Sequence, residues 1–191
     1  IANEYYDLEK TVLPISREER ISEMTKDAPP ISVAAYEGSV ESFKFLLGNG
    51  ASIKSVDSKN RNVAHFAAAG GHLEMIRYLD LLNANFDSVD SYFRTPVFYA
   101  CLYGHKDVLV WMSITRNSIE CTDSSGESLL HAAASSGNRE VVEYILEDGE
   151  VDINQKSLKN VTPLSSAILS KSKEIALIFL EKNCSIDPPE S

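Results

Sequence analysis

Apolar positions along this chain fall in short runs that return at a regular interval. In residues 138–149 (NREVVEYILEDG) they are Val141, Val142, Ile145 and Leu146; in residues 172–183 (SKEIALIFLEKN) they include Ile175, Ile178 and Phe179. Intervals of three and four residues place side chains on one face of an α-helix, so each run predicts a short amphipathic helix. Similar runs stand at 39–50, 72–82 and 105–114. Each is preceded by a second kind of block: PPISVAAYEG (29–38), NVAHFAAAGG (62–71), TPVFYACLYG (95–104), SLLHAAASSG (128–137) and TPLSSAILSK (162–171).

These blocks predict helices of their own. Four of them open on Asn62, Thr95, Ser128 and Thr162, whose side-chain oxygens suit an N-cap. Pro96 and Pro163 follow at the first helical position, where proline costs nothing. Paired small residues (Ala34-Ala35, Ala67-Ala68, Ala100-Cys101, Ala133-Ala134) let a neighbouring helix come close. Gly38, Gly71, Gly104 and Gly137 fall 33 residues apart and end each helix where the turn needs positive φ. Asp57, Asp90 and Asp123 keep the same period. The fifth block is displaced by 34, and the extra residue is expected near Glu150. About seven to ten turn-forming residues lead to each next block.

The repeating unit therefore reads as helix, tight turn, helix, long projecting loop. One such unit cannot bury both apolar faces, whereas stacked copies can. The expected fold is an all-α repeat solenoid with projecting β-hairpin-like fingers.

The residues that recur resemble the ankyrin repeat family. The nearest matches are Asp123-Ser-Ser-Gly-Glu-Ser-Leu-Leu-His131-Ala-Ala-Ala-Ser-Ser-Gly137 and Gly71-His-Leu-Glu-Met-Ile-Arg-Tyr-Leu79, supported by Thr95-Pro96, Thr162-Pro163-Leu164 and Gly50-Ala51. The resemblance covers about residues 29–187, with units at about 24–56, 57–89, 90–122, 123–156 and 157–187. Residues 1–28 are expected to be an N-terminal helical cap or a degenerate repeat, with one helix stopped at Pro14 and a second starting near Ser16. Residues 188–191 read as a tail. The first residue is Ile1, and the chain reads as a mature or excised piece of a longer one.

Departures from the family pattern carry their own expectations. Unit one has Pro29-Pro30-Ile31-Ser32 where the family has Thr-Pro-Leu-His, and unit five has Lys171 in place of the inter-helix glycine. Phe93 stands where the other fingers have Asn60, Gly126 and Asn160, residues that tolerate left-handed backbone. The finger at 90–94 is therefore expected to depart from the tight turn of its neighbours. Trp111 is expected in the core, and Val110 facing outward.

Charge and chemistry narrow the function. With 18 basic and 28 acidic residues the net charge is −10, and no basic run exists to hold a phosphate backbone. Residues 123–156 carry eight acids and two bases, a segment read chiefly as a solvated face. The three cysteines are scattered, in no metal-binding or disulfide spacing, and read as packing residues in a reducing compartment. No stretch of eighteen apolar residues occurs. His65, His72, His105 and His131 all fall on the repeat grid, and the resemblance implies structural hydrogen-bonding roles for them. No triad, zinc site or phosphate loop is left. The expectation is a non-enzymatic chain without metal or cofactor, small-molecule substrate, nucleic-acid partner or membrane insertion. It is expected to be monomeric and cytoplasmic, with a nuclear location as the alternative.

The resemblance implies a protein partner, bound by finger tips and the exposed face of the first helices. Mapped onto this sequence, the binding residues would be Tyr36, Glu37, Lys59, Arg61, Tyr92, Phe93, Arg94, Leu102, Tyr103, Glu127 and Ser135. Tyrosine and arginine dominate binding hot spots, which singles out units two and three. The alternative is a regulatory ankyrin segment of a larger enzyme or channel.

Overall fold

The computed structural model describes Glu19, Ser22, and residues 24–116, 121–147 and 151–186. The expected helix before Pro14, the helix start at Ser16 and the extra residue at Glu150 lie outside them. Ten helices appear among the described residues, in five pairs: α1 Pro30–Tyr36 and α2 Val40–Gly48; α3 Val63–Gly70 and α4 Leu73–Leu81; α5 Pro96–Tyr103 and α6 Lys106–Arg116; α7 Leu129–Ser136 and α8 Arg139–Glu147; α9 Pro163–Leu169 and α10 Lys173–Glu181. The first helices of successive pairs pack side by side, and the second helices form a parallel layer against them. This is an all-α repeat solenoid.

Local chemistry starts and stops these helices largely as the pattern predicts. Asn62 caps α3 by accepting from the backbone N–H of Ala64 at 3.0 Å. Thr162 caps α9 through the N–H of Ser165 at 3.2 Å. Thr95 differs: its hydroxyl lies 3.4 Å from Cys121 Sγ and leaves α5 without a side-chain cap. Small residues at the expected positions carry the packing. Ala35, Ala68, Cys101 and Ala134 are fully enclosed between adjacent first helices. At Gly71, φ is 76°, and a β-carbon there would collide with the His105 ring of the next unit. The glycine thus serves both the turn and the close approach. Burial pushes the Cys101 thiol up, so it packs as an inert residue.

The second helices interlock through an aromatic row. Tyr78 meets Phe43 edge-on at 6.0 Å, and the Tyr144 hydroxyl lies 2.6 Å from Ser113 Oγ. Trp111 is half-buried and tilted against Phe86 at 5.7 Å. Val110 is also only half-buried, while Val108, Leu109 and Met112 are buried.

Candidate binding surface

Each finger of units two to five is stapled by one side chain at its base. Asp57 Oδ1 accepts from the N–H groups of Lys59 (3.0 Å) and Arg61 (2.7 Å). Asp90 Oδ1 does the same for Tyr92 (2.8 Å) and Arg94 (2.9 Å), and Asp123 Oδ1 for Ser125 (2.9 Å) and Glu127 (3.0 Å). Ser157 replaces the aspartate in unit five and accepts at 3.3 and 3.2 Å. Adjacent fingers are joined edge to edge: the N–H of Ser91 donates to Lys59 O, that of Ser124 to Tyr92 O and that of Leu158 to Ser125 O. Isolated antiparallel bridges at Val56–Asn62 and Thr122–Ser128 make the finger bases hairpin-like.

This stapling corrects the expectation for unit three. Phe93 adopts φ 60°, beside 60° at Asn60, 75° at Gly126 and 58° at Asn160. Its N–H donates to Asp90 O at 3.1 Å, matching Asn60 to Asp57 and Gly126 to Asp123. The finger at 90–94 is the same tight turn. Left-handed geometry costs a branched or bulky residue about 1–2 kcal/mol. The two Asp90 bonds and the links to both neighbouring fingers fix the turn regardless. Lys171 likewise keeps the inter-helix turn of unit five at φ 58°.

Histidines tie units together. His65 Nε2 donates to Arg94 O at 3.0 Å, reaching the next finger, while its Nδ1 accepts the N–H of Asn62 at 3.1 Å. His131 repeats this with Val161 O (3.0 Å) and Ser128 N–H (3.1 Å). His105 Nε2 lies 2.9 Å from Ala69 O, and the His72 ring covers Gly38. Burial lowers His65 to about 4, so it is neutral at pH 7, with the proton on Nε2 where the carbonyl needs it. No group of three or more His, Cys, Asp or Glu among the described residues could hold a metal ion.

The sequence-predicted binding residues divide on inspection. Arg61 is a correction: it is 3% exposed and cannot meet a partner. Its guanidinium folds back onto Asp57 at 2.6 Å, donates to Met24 O at 3.0 Å and lies over the Phe66 ring. Arg94, one period later, turns forward to Asp123 Oδ2 at 3.0 Å and lies over Tyr92 and Phe98. Burial would lower Arg94, and the Asp123 carboxylate more than offsets that. Tyr103 is half-buried and stacks on Tyr99 at 6.2 Å. Tyr36, Lys59, Tyr92, Leu102, Glu127 and Ser135 are half-buried, and Glu37 and Phe93 are exposed. Burial, then the neighbouring Asp123, raises the Glu127 carboxyl.

Sequence reasoning passed over Tyr99, whose hydroxyl donates to Asp90 Oδ2 at 2.7 Å. That bond takes the oxygen whose counterpart on Asp57 accepts Arg61, and leaves Arg94 free to reach Asp123. The signal was present: the other units have Val33, Phe66, Ala132 and Ser166 at this position, and of the five only tyrosine combines a hydroxyl with that reach.

The family description "Ankyrin repeats (3 copies)" matches residues 31–114 and 109–189. The chain belongs to the ankyrin repeat family. Ankyrin repeats are in general protein–protein interaction modules and are typically non-enzymatic. The four stapled fingers and the exposed strip of the first helices are thus the ankyrin edge of this molecule. A comparison with curated proteins finds no match. Among the described residues no helix is long and apolar enough to cross a membrane.

Proposed function

We infer that this ankyrin domain is a non-enzymatic binding module whose partner protein meets the fingers and first helices of units two and three. The observation that carries this reading is Phe93. A large apolar side chain stands 63% exposed at a finger tip, in backbone geometry that disfavours it. Most of the side chain gains nothing from burial. Tyr92 adjoins it on the same finger and lies under Arg94, and Leu102 and Tyr103 end the first helix of the same unit, Tyr103 stacked on Tyr99; all three are half-buried. Preorganised aromatic side chains lose little entropy on binding, which suits them to hot spots. Lys59 and Glu127 flank this centre from the adjacent fingers.

The test is affinity capture followed by titration of the captured protein. Tyr92→Ala and Tyr103→Ala together should weaken binding by roughly 2 kcal/mol or more, with far-ultraviolet circular dichroism unchanged. Undiminished affinity in the folded double variant would place the contact elsewhere.

A further inference from the structure

Unit five presents an end face whose register can be read from the four units before it. The position of Ile168 is occupied by Ala35, Ala68, Cys101 and Ala134 in the others, each 0% exposed beneath the next first helix; Ile168 itself is 60% exposed. Leu177 corresponds to Lys44, whose Nζ lies over Tyr78 of the following unit. Leu180 corresponds to Ser113, which touches Tyr144 of the following unit. Both leucines are exposed. The face of unit five that no other described element covers is therefore apolar.

The same face does not suit another ankyrin unit. Close stacking needs a small residue where Ile168 stands. Where the next unit carries a ring or an amide at that point, stacking also needs a bare α-carbon at the inter-helix turn: a β-carbon on Gly38, Gly71 or Gly104 would collide with His72, His105 or Asn138, whereas one on Gly137 would make ordinary contact with Ser172. Unit five has Lys171 there. Charge describes what would fit instead. Along the second helices, Lys106 reaches Glu140 at 3.8 Å and Arg139 reaches Glu174 at 3.3 Å. Lys173 is next in this series. Lys171 and Lys173 are exposed, and neither forms an ion pair among the described residues.

We propose that the end face formed by Ile168, Leu177, Leu180, Lys171 and Lys173 docks an acidic amphipathic helix of a partner protein. The apolar stripe of that helix covers the three aliphatic side chains, and a carboxylate beside the stripe takes the place that Glu140 and Glu174 hold for the preceding units.

The probe is a pair of synthetic amphipathic peptides with one leucine stripe, flanked by glutamate in one and lysine in the other. The glutamate peptide should bind at least about tenfold more tightly, with amide shifts confined to α9 and α10. Ile168→Asp should abolish binding, and Lys173→Glu should reverse the preference. Equal binding of both peptides, binding of neither, or shifts centred on the fingers would overturn the proposal. So would concentration-dependent dimerisation that Ile168→Asp removes, since the occupant would then be a second copy. A consensus ankyrin unit fused after residue 186 provides a further arm. It should stabilise Ile168→Ala/Lys171→Gly and not the natural sequence; equal stabilisation of both would show that a sixth unit fits.

Discussion

Arg94 in the third finger holds Asp123 in the fourth, Nη2 to Oδ2 at 3.0 Å. Its counterpart Arg61, one period earlier, instead turns back to Asp57 of its own finger at 2.6 Å. Equivalent residues thus do different work, one fastening a neighbour and the other clamping residue 24. Asp123 is enclosed and Arg94 is about one-fifth exposed, so the pair is only partly screened. Arg94→Ala should cost about 2–3 kcal/mol in urea denaturation, most of it from leaving the Asp123 oxygen unpaired. Asp123→Asn should recover part of that loss in the double variant, and a cycle with no coupling would show that the contact contributes nothing.

Stability should depend on His65 between pH 6.5 and about 4. Burial depresses its folded pKa below the unfolded value, so the unfolded chain binds the proton more readily in this window. The contribution is whole above pH 6.5 and is lost as pH falls, to a limit of roughly 3 kcal/mol. His65→Gln should flatten the denaturation midpoint against pH across that window. A variant with the natural slope would assign the acid sensitivity to other groups.

Ser32 stands at the position of His65 and His131 and is fully buried with no partner for its hydroxyl. It is too short to make the bridge to the next finger that His65 makes. Ser32→Ala should therefore be neutral or stabilise by up to about 1 kcal/mol, because an unpaired buried hydroxyl only costs free energy. A loss of more than that in thermal melting would mean that the hydroxyl is satisfied in solution.

Much of this fold is legible in the sequence because its determinants are local. The glycines at 33-residue intervals, the oxygen caps at Asn62 and Thr162 and the alanines between them each specify a turn, a helix start or a close approach. The surface is less legible because its residues are decided by contacts distant in sequence. Arg61 and Arg94 have the same local setting, yet Met24 and the Tyr99 hydroxyl send them in opposite directions. Phe93 misleads for a related reason. A propensity for left-handed backbone belongs to the single residue, whereas the turn is imposed by Asp90 and by the fingers on either side.

The exposed phenylalanine at that turn gives the most direct test of the account. Phe93→Asn relieves the left-handed strain and removes the side chain that the partner is inferred to contact. The dissociation constant for the captured partner should rise at least about tenfold, while the unfolding free energy stays level or rises by up to about 1 kcal/mol. Tight binding retained in a variant of equal or greater stability would contradict a partner site on this edge of the repeats.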